Sequence, residues 1–209
     1  ALSAPLTLPM GVVTGFLVKG YLGSPVFFKQ CRVGLNDVEF EVLKFRTMED
    51  KRDVNGNLLP DADRLPRFGR FLRSTSLDEV PQVLNVARGD MSIVGPRPLF
   101  VRYLPYYTAS ERERHRVRPG ITGLAQTSGR NSVQWSKRLA YDIDYVRRAS
   151  LLLDAKILLA TAWQVLRREG ISVLASDSGE PLDVSRSYPS DGIVHLRRLQ
   201  SSDLQLRVA

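Results

Sequence analysis

Cysteine is nearly absent from this sequence: Cys31 is the only one in 209 residues. A single thiol closes no internal disulfide and builds no Cys-rich zinc site. Histidine is almost as scarce. With only His115 and His195, a His-based metal cluster or a Ser-His-Asp triad has little support. Any chemistry must then rest on carboxylates and arginines. The common nucleotide-binding loops are missing too, since no GxxxxGK[ST] run and no strand-linked GxGxxG occurs. Charge is missing from the beginning of the chain, where no charged side chain precedes Lys19. Pro5 and Pro9 interrupt that apolar run, and a membrane span wants roughly 20 apolar residues. It also lacks the basic start of a secretory signal. The expectation is the remnant of a membrane-associated segment whose first part lies outside this chain.

What is abundant is positive charge. Thirty Lys+Arg against 22 Asp+Glu leave a net charge of +8, which favours phosphates, nucleic acid or an acidic lipid surface as partners. Arginine far outnumbers lysine, and its planar fork suits bidentate phosphate contacts. Hydrophobic content of 43% with 25% charged residues is that of a folded domain rather than a disordered chain.

After Lys19, PVFFKQCRVG and FEVLKFRTM read as two strands joined by a turn at Gly34, Asn36 and Asp37. Glu49 to Asp63, with Asn55-Gly56 and Pro60, reads as a loop. RLPRFGRFLRS then predicts a short amphipathic helix on Phe68, Phe71 and Leu72. Ser76 and Glu79 have capping-box spacing ahead of LDEVPQVLNVA, with Pro81 in the first turns and Gly89 as the stop. ERERHRVRPGITG predicts a basic helix and a Pro-Gly turn. Helices are expected from about 133 to 148 and over LLLDAKILLATAWQVL, and from about Ser172 the text turns polar and aperiodic.

Asp78 and Glu79 are adjacent acids at a helix start. Acids there stabilise a helix by about 0.3–1 kcal/mol, so capping alone would account for them. The same position keeps a carboxylate ionised and attracts phosphate, which suits a nucleophile that attacks phosphorus. Position leaves both roles open. Lys44 and Arg46, Arg73, Arg97 between Pro96 and Pro98, and Arg118 and Arg130 beside Gly-containing turns have the make-up of a diphosphate clamp.

KFRTM, RSTSLDEVPQVLNVARGDMSIVGPRPL and RPGITGLAQTSGRN, in this order and spacing, resemble the bacterial sugar transferase family. More narrowly they resemble its small monotopic, PglC-type phosphoglycosyltransferases, over about residues 9–173. The resemblance implies that Asp78 is the nucleophile, with Glu79 coordinating Mg²⁺ and Asp78 as a possible second ligand. Lys44, Arg73 and Arg97 match the phosphate-contacting residues, and Arg130 matches an arginine near the nucleotide. It implies transfer of a sugar-1-phosphate from a UDP-sugar to undecaprenyl phosphate, with release of UMP, at the cytoplasmic face of the bacterial inner membrane. Pro9 falls at the family's membrane-helix proline, with Leu8 in place of its usual Ser. Leu124 and Thr127-Ser128 depart from the family's Trp and Val-Asn. Closeness to the small members points to an N-acetylated deoxy sugar over glucose or galactose.

The expected fold is α+β: a small antiparallel β element surrounded by helices, an N-terminal re-entrant helix, and amphipathic interfacial helices. RERHRVR and LLLDAKILLATAWQVL are the candidates for the lipid surface. Three parts are expected: 1–20, the remnant of the membrane helix; 21–173, the catalytic domain; and 174–209, a C-terminal extension. Three other classes compete with this reading. A glycosyltransferase moving sugar alone would release UDP. A non-catalytic membrane scaffold would have no use for the intact Asp78–Glu79 dyad, and a basic nucleic-acid-binding module would need a helix-turn-helix, zinc module or aromatic-interleaved basic strands. None of these is visible, so nucleic acid is not an expected partner.

Overall fold

The computed structural model describes residues 4–128, 134–167 and 180–186, with the backbone alone at 4–8. Helix α1 spans Ala4–Leu22 and runs through Pro9. One side of it carries Val18, fully buried against Phe45 and Leu72 and flanked by Leu22, Val26, Phe68, Leu77 and Val80. Burying such a side chain stabilises by about 1.5–3 kcal/mol. Thr14 is buried too, and its hydroxyl donates to the Met10 carbonyl at 2.7 Å. The other side of α1 leaves Val12, Val13 and Phe16 exposed, Phe16 to 74%. No helix among the described residues is long and apolar enough to cross a membrane.

The expected hairpin is present. Strands β1 (Phe27–Val33) and β2 (Glu39–Phe45) pair antiparallel from Phe27 opposite Phe45 to Val33 opposite Glu39. Asn36 and Asp37 turn the chain at positive φ, 53° and 65°. Arg46 closes the base, donating to the carbonyls of Leu22 and Ser24. The loop that follows runs to Pro60, after which Asp61–Arg64 forms the short helix α2, within what the sequence reads as loop.

Helix α3 (Arg67–Ser74) buries Gly69 and Leu72. A Cβ at Gly69 would stand 1.9 Å from the Thr47 carbonyl oxygen, so only glycine lets α3 lie this close to the end of β2. The capping box expected next does not form. Ser76 adopts a left-handed conformation (φ 57°, ψ 17°) and makes no side-chain cap, and Leu77–Glu79 is a single 3₁₀ turn. The Glu79 side chain does not reach back to the cap because two cations hold it elsewhere. Helix α4 therefore starts only at Gln82 and runs to Arg88, with Pro81 as its N-cap and Gly89 (φ 84°) closing it. Asn85, fully buried, ties α4 to β2: its Oδ1 accepts from the Leu43 N–H at 3.0 Å, and its Nδ2 donates to the Glu41 carbonyl at 2.7 Å.

A second sheet was not legible in the sequence. Strands β3 (Ser92–Val94) and β4 (Gly120–Thr122) pair in parallel, Ser92 beside Gly120 and Val94 beside Thr122. A Cβ at Gly120 would lie 2.1 Å from the Gly95 nitrogen, so the glycine permits this approach.

The segment Glu111–Arg116, expected as a basic lipid-facing helix, is a 3₁₀ stretch whose Arg114 and His115 are buried. The buried Asp142 and the half-buried Asp37 draw them inward, so these two residues of RERHRVR do not face a lipid surface. Helices α5 (Leu124–Ser128), α6 (Trp135–Arg148) and α7 (Leu151–Arg167) complete the domain. Val94, Tyr145 and Ile157 form one core, and Val33, Leu99, Tyr103, Leu104, Tyr107, Leu139 and Leu182 form another. Leu182 belongs to the short helix α8 (Leu182–Ser185), so part of the C-terminal extension packs into the domain. The outer face of α7 leaves Leu151, Leu152, Leu159, Trp163 and Leu166 exposed, Leu159 to 73%. The architecture is mixed helix and small sheet, as the α+β expectation has it.

Candidate active site

The two acids stand on the 3₁₀ turn between α3 and α4, where the left-handed Ser76 redirects the chain. Three neighbouring elements bring cations to them. Lys44, from β2, donates to Glu79 Oε1 at 2.6 Å. Arg97, from the loop after β3, donates to the same oxygen through Nη2 at 2.8 Å. Arg73, from α3, donates through Nε to the Thr47 hydroxyl at 3.0 Å, and its charge acts on Asp78. Lys44, Arg73, Asp78, Glu79 and Arg97, scattered over 54 positions of sequence, thus share one site, while Arg130 lies outside the described residues.

The two acids are in different electrostatic states. Burial pushes Asp78 up to about 6, with Glu79 adding to the rise and Lys44, Arg73 and Arg97 opposing it. Burial acts on Glu79 the same way, but Arg97 and Lys44 outweigh it and hold that carboxyl below the ordinary range. Glu79 is therefore a neutralised anion. Asp78 is only 8% exposed, and its carboxylate accepts no hydrogen bond among the described residues. A carboxylate that is mostly ionised at neutral pH, desolvated and undonated is a competent nucleophile.

No group of three or more His, Cys, Asp or Glu side chains among the described residues is arranged for a metal. A Mg²⁺ ion is commonly held by one or two carboxylates, with water and substrate phosphates completing its shell. The Asp78–Glu79 pair fits that requirement. Asp78 and the second oxygen of Glu79 are free of described donors.

Two of the arginines singled out in the sequence prove structural. Arg46 staples α1 to β2, and Arg118 donates to the Gly89 carbonyl at 2.8 Å behind α4. Two that were missed stand near Arg97. Arg32 lies 3.6 Å over the Phe100 ring, and burial, with Arg97 next, lowers it to about 10. Arg138 stacks over Trp135 at 4.5 Å and is lowered by burial and then by Arg97. One is read as a strand residue and the other as the wet side of an amphipathic helix, so no local signal distinguishes them. A groove elsewhere lies between β3 and α7, lined by Met91, Ile93, Val117 and Leu158, and does not include Asp78 or Glu79.

A buried pair of carboxylates in a cationic cleft is an arrangement that suits phosphate-bearing substrates. Residues 1–168 match the bacterial sugar transferase family. The chain belongs to that family and is a transferase. It is 54% identical over 155 residues to the uncharacterized sugar transferase EpsL of Bacillus subtilis, covering 74% of this chain and 77% of the relative. It is 43% identical to a UDP-glucose:undecaprenyl-phosphate glucose-1-phosphate transferase of Caulobacter vibrioides, covering 79% of this chain and 66% of that protein. A UDP-galactose-lipid carrier transferase of Erwinia amylovora is 39% identical over 79% of this chain, which spans 38% of that longer relative.

Proposed function

We propose that this chain transfers a sugar-1-phosphate from a UDP-sugar to undecaprenyl phosphate through a covalent intermediate on Asp78. The single observation that carries this reading is the contrast within the dyad: a buried Asp78 with no donor among the described residues, beside a Glu79 neutralised by Lys44 and Arg97. An Asp78 oxygen attacks the phosphorus that bears the sugar. The bond from that phosphorus to the bridging oxygen breaks, and UMP leaves with the electron pair. A phosphate oxygen of the acceptor then attacks the same phosphorus and releases Asp78, giving the polyprenyl-diphosphate sugar. Lys44, Arg73 and Arg97, with Arg32 and Arg138 behind them, offset the charge of the diphosphate. Glu79, with Asp78 beside it, would hold Mg²⁺, which when bound neutralises phosphate charge.

The reaction is set at the cytoplasmic face of the bacterial inner membrane. The exposed apolar faces of α1 and α7 suit a headgroup-level position where a lipid phosphate can reach the cations. The re-entrant bend near Pro9 belongs to the same proposal. Relatives named for UDP-glucose and UDP-galactose place those donors beside the acetamido sugars in the test.

That test is UMP release with undecaprenyl phosphate, Mg²⁺ and a panel of UDP-sugars, for wild type and Asp78→Asn. UMP that appears with one donor and vanishes in the variant is the expected result. Release of UDP would replace the reading with simple glycosyl transfer.

A further inference from the structure

Arg97 holds Glu79, so whatever fixes Arg97 bears on the site. The segment from Pro96 to Leu99 is anchored at three of its carbonyls. The Gly120 N–H donates to the Pro96 carbonyl at 3.0 Å, and the Val33 N–H donates to the Leu99 carbonyl at 3.2 Å. Between these, the Arg97 carbonyl takes a side chain: Arg114 Nη2 donates to it at 2.6 Å.

Arg114 is 2% exposed and is committed on every side. Its Nε and Nη2 lie 3.0 and 2.9 Å from Asp142 Oδ2, on α6. Its Nη1 lies 3.1 Å from His115 Nε2. A guanidinium only donates, so His115 Nε2 is the acceptor and the imidazole is neutral. His115 Nδ1 then carries the proton and donates to Asp37 Oδ1, in the turn between β1 and β2. Arg112 Nη2 donates to the other oxygen of Asp37 at 3.0 Å.

These contacts close a ring. It runs from the hairpin turn at Asp37 through His115 and Arg114 to Arg97, on to Glu79, and back through Lys44 to strand β2 of the same hairpin. A buried ion pair is seldom needed for stability, since an apolar pair of similar volume often serves as well. A lysine could match Asp142 but has no planar fork to reach Asp142, His115 and the Arg97 carbonyl together.

We propose that Arg114 is a positioning residue for the transfer reaction, setting the Arg97 backbone so that its guanidinium meets Glu79. The inference rests on the function proposed above. A misplacement of about 1 Å at such a group costs on the order of 10²-fold in rate, so the effect falls on kcat and leaves donor KM nearly unchanged.

The test compares wild type with Arg114→Met/Asp142→Leu, which replaces the buried pair by apolar side chains, and with Arg114→Lys, which keeps the charge opposite Asp142. Thermal unfolding first identifies which variants are folded, and the lysine variant serves if the double variant is not. In a folded variant the expected result is a fall in UMP-release kcat of about 10–100-fold. The same change made in an Arg97→Ala background should cost little further, because the group being positioned is gone. Undiminished kcat in a folded variant, or an equal fold-loss in the Arg97→Ala background, overturns the proposal. Should the wild type release no UMP from any UDP-sugar, the function reading fails and the positioning claim is read from the variant's crystal structure. Arg97 Nη2 displaced from Glu79 Oε1 then supports it, and an unchanged contact overturns it.

Discussion

At the scale of residues, Glu79 Oε1 accepts from two cations, while among the described residues none donates a hydrogen bond to Asp78. That asymmetry is what makes the acids unequal. Lys44→Met leaves Glu79 to Arg97 alone and removes one of the charges that oppose the rise in Asp78. UMP release should fall by about 10²-fold, read with thermal unfolding to confirm that the variant is folded. A second expectation concerns pH. Burial lowers His115 below its usual 6.5, and Arg114 and Arg112 lower it further while Asp37 opposes them. The unfolded chain therefore binds a proton near 6.5 that the folded chain refuses, so stability falls as pH drops below that value. Burial raises Asp37, but His115 and Arg112 outweigh it and hold it below its usual 3.8. It therefore adds a further loss as pH falls through that range. Urea unfolding between pH 7.5 and 5 should show the first loss, and His115→Gln should flatten it.

At the scale of elements, close approaches and buried amides decide where the cations stand. Gly69→Ala would drive a Cβ into the Thr47 carbonyl. Because Arg73 and its Thr47 partner sit across that contact, both stability and UMP release should drop together, in thermal unfolding and in turnover. Asn85→Ala leaves the Leu43 N–H and the Glu41 carbonyl without their partner. Each buried orphan costs about 1–3 kcal/mol, so denaturant unfolding should show a loss of that order or more. The capping box fails for a related reason. Local spacing favours Ser76 as a cap, but the Glu79 carboxylate gains more from Lys44 and Arg97 than from a backbone N–H at the turn.

At the scale of the whole molecule, the exposed leucines of α7 and the apolar side of α1 form faces that the described chain itself does not cover. Leu152→Glu/Leu159→Glu/Leu166→Glu should weaken co-sedimentation with anionic lipid vesicles without lowering the unfolding temperature, because these side chains are largely exposed among the described residues. In the basic Glu111–Arg116 segment, Arg114 and His115 turn inward to Asp142 and Asp37.

What the sequence alone determined is whatever short-range pattern encodes: the hairpin from Phe27 to Phe45, helices α3, α6 and α7, the stop at Gly89, and the family whose motif carries Lys44, Arg73, Asp78, Glu79 and Arg97. Only the tertiary structure decided the parallel pairing of β3 with β4, the docking of α8 through Leu182, and the chain of contacts from Asp37 to Glu79. Three-residue strands carry too little periodicity to announce themselves. The partners of a buried charge are chosen by which distant groups the fold brings within hydrogen-bond reach. Arg114 and Asp142, 28 residues apart, look in sequence like any two solvated charges, and burial alone turns them into a support for the site.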